Sequence, residues 1–231
     1  MSVTNDFVAM DVPETIDSTW IADTTAALQE SEQIVVIRGN RHKFCDGLPI
    51  ESAASGQVDV PATVRSLTVL LERLGEHAAP VAAIVEGDAR GAGVGLVAVA
   101  DVVIARPEAR FQLPEVYWGI IPAAVFTSIA RRVGVARARR MALGDAPTTA
   151  ADAVQCGLVD IMTTLPDVQL DIILARWRRA ERRAVAAVRQ LTARNWPVDD
   201  ATETLSRLWE RTGRNRIKQF VDGHAPWEVA G

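Results

Sequence analysis

One stretch, from Val81 to Ala124, constrains the fold of this chain more than any other. It opens with an apolar run, Val81–Val85, which predicts a buried strand. Glycines then recur through Gly87–Gly95, and the apolar run Leu96–Ala100 predicts a helix. A strand, a glycine-rich turn and a helix in this order expose backbone N–H groups that stabilise negative charge. We therefore expect an anion-stabilising turn within this stretch.

A single carboxylate lies near the end of the same stretch. The segment Phe111–Glu115 has the sequence FQLPE, and a second apolar block, Val116–Ile121, follows it directly. The glycine-rich turn and Glu115 are the chemistry that this part of the sequence offers.

Composition excludes several classes of protein. The chain has 231 residues, 48% of them hydrophobic, which is enough for one substantial core. A net charge of −4 argues against a nucleic-acid-binding surface. Cys45 and Cys156 show neither metal-site spacing nor a disulfide framework, so we expect a reducing, cytoplasmic location. We also expect no signal peptide and no membrane span, because the N-terminus has no basic flank and no run of about 18 apolar residues occurs.

Hydrophobic periodicity predicts one α/β domain. Strands are expected at residues 7–12 and 34–37, and helices at 14–30, 61–76, 124–133, 136–143, 168–195 and 198–221. Between them we expect a polar loop at 38–47 and a mobile segment at 51–60. We assign residues 1–165 to the core and residues 166–231 to a C-terminal helical portion of the same domain.

Four phrases, in the correct order and spacing, resemble the motifs of the crotonase superfamily, which comprises the enoyl-CoA hydratases and isomerases. They are Phe44–Leu48, Glu86–Leu96 with Asp101, Phe111–Glu115 with Gly119 and Pro122, and Leu143–Asp160. The resemblance implies a crotonase-like ββα spiral, a C-terminal helical trimerisation region, and assembly into a homotrimer or hexamer.

The resemblance also implies an oxyanion hole for a thioester enolate. Its two donors would be the N–H groups of Leu48 and Ala92, in turns that contain Gly47 and Gly91. Since only backbone N–H groups are used, the Leu and Ala side chains do not disqualify the site. The substrate would be a thioester of phosphopantetheine or CoA, and no other cofactor and no metal is implied.

Departures from the family pattern narrow the expected reaction. Hydratases of this family use two glutamates, and the first of them falls here on Gly95, so Glu115 remains as the principal acid/base. The runs Gly119–Ala123 and Ile129–Gly134 and the ending Pro226–Glu228 resemble the polyketide β-branching dehydratases. That resemblance implies dehydration of a 3-hydroxy-3-methylglutaryl thioester to its 3-methylglutaconyl form.

An acyl carrier protein is the expected partner. The N-terminal hairpin and the R-P phrase that help the family to hold the CoA nucleotide are reduced here to Phe7–Glu14. We therefore expect a carrier-bound acyl group to be preferred to free CoA. The expected docking cations are Arg38, Arg41 and Lys43, with Arg214 and Arg216 as further candidates.

Several side chains near these motifs have two interpretations. Asp46 either satisfies turn amides or acts as a second acid/base. Tyr117 and Trp118 belong to the core or to the wall of an acyl pocket. Arg41 and Lys43 are solvated loop charges, or they contact a substrate carboxylate and the phosphopantetheine phosphate.

Two other functions stay open. One is a different enzyme, either a Δ3,Δ2-enoyl thioester isomerase that uses Glu115 or a decarboxylase that uses His42 or Lys43. The other is a non-catalytic crotonase-like subunit that supports a partner enzyme. The reduced N-terminal hairpin favours the second idea, whereas Glu115 and the two oxyanion turns oppose it.

Overall fold

A computed structural model describes residues 2–3, 7–144, 146–180, 185–186, 188–189, 206 and 209–224. The described chain is built on two sheets. The larger has six strands in the order β1-β2-β3-β5-β7-β10, and the smaller has four in the order β4-β6-β8-β9. The strands are β1 Ser2–Val3, β2 Val8–Asp11, β3 Val35–Arg38, β4 Lys43–Cys45, β5 Val81–Val85, β6 Asp88–Arg90, β7 Val102–Ala105, β8 Arg110–Gln112, β9 Thr148–Thr149 and β10 Ile161–Met162.

The helices connect the sheets and cover them. They are α1 Ser18–Gln29, α2 Ile50–Ala54, α3 Val60–Glu76, α4 Ala92–Ala98, α5 Phe126–Val133, α6 Val135–Ala142, α7 Ala150–Gln155, α8 Pro166–Trp177 and α9 Arg214–Val221, with a 3-10 helix at Glu115–Trp118 and a π-helix at Trp209–Gly213. Three successive turns of the spiral each give one strand to the large sheet, one to the small sheet and then a helix: β3, β4 and α2; β5, β6 and α4; and β7, β8 and the 3-10 helix. The predicted ββα spiral is thereby confirmed.

Side chains of the large sheet point alternately to its two faces, and each face packs in its own hydrophobic cluster. Every residue of β5 is buried, which is typical of a strand covered on both faces. Ala82 and Ile84 of β5 pack with Leu170 and Leu174 of α8, whereas Ala83 contributes to the larger core on the opposite face. The pairings β2–β3, β3–β5 and β5–β7 are parallel, and so is the pairing of β4 with β6 in the small sheet, so the turns that follow β4 and β6 lie at one edge of that sheet.

Several expected elements have different bounds in the structure. The polar loop at 38–47 contains strand β4, and residues 51–60, expected to be mobile, begin in helix α2 with Ala53 and Ala54 buried. Helix α1 begins at Ser18 and not at residue 14, because the Asp17 side chain accepts a hydrogen bond from Trp20 N at 2.8 Å and caps it.

Two further corrections concern the chain ends. The N-terminal hairpin, which we expected to be reduced to one strand, is present in short form, since β1 pairs with β2 antiparallel. The helix expected at 168–195 is interrupted, because α8 ends at Trp177. The ending Pro226–Glu228 lies outside the described residues.

Candidate active site

The first turn of the site follows strand β4. Its backbone is anchored at two points, by Asp46 N donating to Glu14 O at 2.7 Å and by Ile16 N donating to Gly47 O at 2.8 Å. Gly47 has φ +94°, a conformation that residues with a side chain rarely adopt. The next N–H, that of Leu48, donates no hydrogen bond within the described part of the chain.

The second turn joins strand β6 to helix α4. Gly91 is the N-cap of α4, with φ +49°, and its N–H donates to Gln112 O at 3.0 Å. The Ala92 N–H, like that of Leu48, has no acceptor among the residues described. The two turns are in contact, because a Cβ placed on Gly47 would lie 3.5 Å from Ala92 N. Two free backbone donors therefore lie in adjacent turns.

Glu115 lies against the second turn. It begins the 3-10 helix, and a Cβ placed on Gly91 would lie 3.1 Å from Glu115 Oε1. Although the residue as a whole is half-buried, its Oε2 is fully buried and hydrogen-bonds to no described group. Burial raises the pKa of Glu115 from 4.5 to about 7, partly offset by a hydrogen bond from its own backbone N–H. A carboxyl group with this pKa exchanges protons readily near neutral pH.

A pocket of about 670 Å³, which includes part of its open mouth, connects these groups. Its wall is almost wholly apolar, and the only charged side chains among its described lining residues are Asp46 and Glu115. The lining residues are Asp46, Gly47, Leu48, Ile50, Ala53, Val60, Val64, Leu67, Gly91, Ala92, Pro114, Glu115, Trp118, Ile120, Ile121, Pro122, Ala123, Ala124, Val125 and Ile217.

Position 95 has no room for a second carboxylate. Gly95 lies inside helix α4, and a Cβ built there would be 2.3 Å from Val125 Cγ1 and 3.4 Å from Leu71 Cδ1. The Val125 side chain, which also lines the pocket, therefore occupies the space beside Gly95. The glycine that replaces the first glutamate of the family pattern therefore leaves no cavity, because neighbouring side chains fill the space beside it.

Asp46 is held by two cations at the edge of the pocket. Its Oδ2 lies 2.9 Å from Lys43 Nζ and its Oδ1 lies 3.1 Å from Arg90 Nη1. Arg90 Nη2 also pairs with Asp88 at 3.1 Å, and Lys43 also pairs with Glu14 at 3.6 Å. Of the two roles predicted for Asp46, satisfying turn amides is not seen, because its carboxylate pairs with Lys43 and Arg90, and the role of a second acid/base stays untested.

The structure brings together most of the predicted site residues. Seven of them line the pocket: Asp46, Gly47, Leu48, Gly91, Ala92, Glu115 and Trp118. The other three are Arg41, Lys43 and Tyr117, which are absent from the described lining. Arg41 pairs with Glu86 at 3.6 Å and the Tyr117 hydroxyl donates to Gly144 O, so both interact elsewhere.

Sequence reasoning missed much of the apolar wall. Val125 was treated only as part of a helix, and Ile217 of α9 comes from a distant part of the chain. Gly95 and Val125 lie far apart in the sequence, and a contact of this kind leaves no periodic pattern of hydrophobic residues. No signal in the sequence therefore indicated it. The contribution of Ile217 depends on how α9 packs against α2, which periodicity does not specify.

The described residues were also considered as possible metal sites and membrane spans. In the described residues, no three His, Cys, Asp or Glu side chains are grouped so that they could hold a metal ion. Of the helices that the structure describes, none is long and apolar enough to cross a bilayer. The cytoplasmic location and the trimeric or hexameric assembly stay predictions.

The chain belongs to the enoyl-CoA hydratase/isomerase family, whose model matches residues 7–211. It is 32% identical over 198 residues to a probable enoyl-CoA hydratase of Rhodobacter capsulatus, covering 79% of this chain and 75% of that protein. It is 39% identical over 136 residues to the 2,3-dehydroadipyl-CoA hydratase of Escherichia coli, covering 58% of this chain and 52% of the relative.

A third relative is the bacillaene synthase dehydratase PksH of Bacillus subtilis, which is 30% identical over 151 residues, covering 62% of this chain and 58% of PksH. The match spans little more than half the length of the E. coli and B. subtilis relatives. The crystal structure of a putative polyketide biosynthesis enoyl-CoA hydratase (PksH) from B. subtilis superposes with a TM-score of 0.84 at 22% identity, covering 96% of this chain and 95% of the other. This likeness shows the shared crotonase fold.

Proposed function

We propose that this protein is a dehydratase of 3-hydroxyacyl thioesters in which Glu115 alone transfers the protons. The observation that carries the proposal is the buried Glu115 Oε2, which has no hydrogen-bond partner among the described residues and lies in an apolar pocket. Leu48 and Ala92, whose N–H groups donate to no described acceptor, line the same pocket. A base and two preorganised donors are the parts needed to form an enolate.

The first step forms the enolate. The thioester carbonyl oxygen accepts hydrogen bonds from Leu48 N–H and Ala92 N–H, and the ionised Glu115 removes a proton from C2. The C2–H bond breaks and its electron pair forms the C1=C2 bond, while the π pair of the carbonyl group moves onto its oxygen, where the two donors stabilise the charge. Removing one donor of such a pair typically costs about 10²- to 10³-fold in rate.

The second step releases water. The enolate collapses to a C2=C3 double bond while the C3–O bond breaks, and the now neutral Glu115 gives its proton to the departing hydroxyl group. Glu115 is ionised again at the end, so the reaction needs no second carboxylate. The pKa of about 7 suits both roles, because the group must accept and then donate the same proton.

The finer proposal is that the acyl group is 3-hydroxy-3-methylglutaryl on an acyl carrier protein. It is supported by the similarity to PksH, a dehydratase of bacillaene synthase, and by the lone glutamate with Val125 beside Gly95. The pocket itself favours a second candidate, an uncharged 3-hydroxyacyl group. No cation lies among its described lining residues, and a carboxylate buried without a partner is costly.

The alternatives differ in their support. A Δ3,Δ2-enoyl isomerase would use the same proton transfer at Glu115 without a leaving group. A decarboxylase is less well supported, because His42 and Lys43 are not among the described lining residues. A non-catalytic subunit loses the argument drawn from a missing hairpin, since β1 and β2 form one.

Mass spectrometry of thioesters on a carrier protein tests the proposal. The protein is incubated separately with 3-hydroxy-3-methylglutaryl, 3-hydroxybutyryl and 3-enoyl carrier thioesters, and loss of water, loss of carbon dioxide or isomerisation is followed. We expect loss of water that falls by roughly 100-fold or more in Glu115→Gln and is retained in Glu76→Gln, an exposed residue at the end of α3. Isomerisation or decarboxylation without loss of water would contradict a dehydratase.

A further inference from the structure

Each of the two free backbone donors, Leu48 N–H and Ala92 N–H, follows a charged residue by two positions, and these two charges are opposite in sign. Asp46 lies two residues before Leu48, and Arg90 lies two residues before Ala92. Arg90 Nη1 contacts Asp46 Oδ1 at 3.1 Å, so one ion pair joins the two turns that carry the donors. The backbone hydrogen bonds that anchor the turns run to other segments, from the first turn to residues 14 and 16 and from the second to Gln112, and the turns themselves meet in backbone packing.

The strand ladder below the turns is short and irregular. Strand β4 pairs with β6 through Lys43 with Asp88 and Cys45 with Ala89, and the register shifts between these two pairs. Such an irregularity bends a strand and ends regular pairing. The ion pair comes directly after the last ladder partners, Cys45 and Ala89, at the point where the backbone pairing stops.

Further contacts orient both members of the pair. The second oxygen of Asp46 is held by Lys43 Nζ at 2.9 Å, and the second terminal nitrogen of Arg90 is held by Asp88 at 3.1 Å. The side chains of Asp46 and Arg90 are 22% and 43% exposed. Because a pair this exposed adds little to stability, an effect on geometry is the larger consequence to look for.

We propose that the Asp46–Arg90 ion pair is a clamp that sets the separation of the Leu48 and Ala92 N–H groups. The proposal rests on the proposed function, in which those N–H groups bind the enolate oxygen. Both clamp members are positioning residues, since they act through the donors and not on the substrate. The role differs from that of a second acid/base, which the sequence left open for Asp46.

Two variants and one control test the clamp. Asp46→Asn and Arg90→Gln each remove one charge of the pair. Arg106→Gln is the control, because Arg106 also makes part-exposed ion pairs, with Glu86 at 3.5 Å and Glu108 at 3.6 Å, and does not line the pocket. The readouts are kcat, KM, the urea midpoint, and the infrared stretching frequency of the carbonyl group in a bound, unreactive acyl pantetheine.

We expect kcat to fall by about tenfold in either variant while KM changes little, because a small displacement of a donor has a large effect on the transition state. The carbonyl band should move back toward its frequency in water. The double variant should lose no more than the single ones, and Arg90→Lys should recover part of the loss. The control should keep the wild-type band position and kcat.

Three outcomes would overturn the clamp. One is an unchanged carbonyl band in both variants. Another is a loss of about 100-fold or more in Asp46→Asn with a normal Arg90→Gln, which would make Asp46 an acid/base. The third is a fall in kcat matched by Arg106→Gln. The infrared readout needs no turnover, so it separates the clamp from the proposed reaction. If the wild-type protein shifts the carbonyl band from its frequency in water but releases no water from the substrate, the proposed dehydration is contradicted. The clamp is then still supported if the two variants move the band back.

Discussion

Burial is the main cause of the raised pKa of Glu115. Desolvation penalises the charged form, and the one opposing contact comes from the residue's own backbone N–H. Asp46, the other acidic residue of the pocket, is paired with Lys43 and Arg90 at its edge. Two carboxylates in one pocket thus have unlike surroundings, and the unpaired one is suited to proton transfer.

The first prediction concerns pH. The proposed base must be ionised, so kcat/KM for dehydration should rise with pH, reach half of its maximum at about pH 7, the pKa of Glu115, and level off above it. The folded protein binds more protons than the unfolded chain between the two pKa values, 4.5 and about 7, so the free energy of unfolding should fall as pH rises through this window.

Glu115→Gln should remove that dependence. Relative to wild type, the variant should gain about 2 to 3 kcal/mol in the free energy of unfolding on going from about pH 5 to about pH 8. Urea unfolding at several pH values measures the difference. A difference between the two proteins that stays constant with pH would contradict a raised pKa for Glu115.

The placement of residues that belong to a short motif was predictable from the sequence, whereas their catalytic roles stay predictions. Glu115, Leu48 and Ala92 lie together in the pocket as expected. Lys43 and Arg41 were expected at the substrate, yet both pair with nearby carboxylates. Long charged side chains reach many partners, and their choice is made by three-dimensional neighbours that sequence spacing does not show.

At the scale of elements, helix α4 packs so closely on Val125 that only glycine fits at position 95. Gly95→Ala should lower the free energy of unfolding by about 1 to 3 kcal/mol, because its Cβ would overlap Val125. In the Val125→Ala background the same change should cost much less. Gly75→Ala is the matched control, since a Cβ there would meet nothing within 4 Å, and it should be neutral or stabilising.

Urea denaturation of the four proteins measures the coupling between the two positions. Equal costs for Gly95→Ala in both backgrounds would show that Val125 does not occupy the space beside Gly95.

The same contact predicts the result of restoring a second glutamate. Gly95→Glu should not give efficient hydration of crotonyl-CoA, since Val125 and Leu71 fill the space that the new side chain would enter. An assay of water addition to crotonyl-CoA checks this. A variant that folds and hydrates the substrate efficiently would contradict the packing argument.

Elements with strong periodicity were predicted well, and short elements were not. Helix α3 was expected at 61–76 and lies at Val60–Glu76, because its buried leucines recur at helical spacing. Helix α4 begins at Ala92 and not at Leu96, inside the glycine-rich segment where propensity opposes a helix. Strand β4 has three residues and leaves too short a pattern to separate it from a loop.

At the scale of the whole molecule, the sequence motifs specified the order of the spiral but not how its ends pack. The single α/β core with parallel strands follows from the buried strands and the intervening helices. The placement of Ile217 over the pocket depends on contacts between α9 and α2, which lie far apart in the sequence. Such long-range packing leaves no local periodic signal.

Recognition of a carrier would depend on the whole surface, and three of the five expected docking cations are already paired. Arg38 pairs with Asp167, Arg41 with Glu86, and Lys43 with Asp46. Docking an acidic carrier would therefore exchange these partners, and long-range attraction would affect mainly the on-rate. The surface is less basic than the three residues alone suggested.

Arg41→Glu should lower kcat/KM for a carrier-bound acyl group, most strongly at low salt, and leave a short pantetheine substrate unaffected. Arg73→Glu makes the same change in net charge in the last turn of α3 and is the control. Steady-state assays with carrier, CoA and pantetheine thioesters at two salt concentrations measure the effect. Equal specificity for carrier and CoA substrates, without salt dependence, would contradict carrier recognition.

The central claim is that Glu115 removes a proton from C2 while two backbone N–H groups hold the oxyanion. The most direct measurement is deuterium incorporation at C2 of a saturated acyl pantetheine thioester in D₂O, followed by mass spectrometry. This substrate has no leaving group, so only the first step can occur. The account predicts exchange in the wild type and in Glu76→Gln, and exchange slower by roughly 100-fold or more in Glu115→Gln. Exchange at the wild-type rate in a folded Glu115→Gln protein would contradict it.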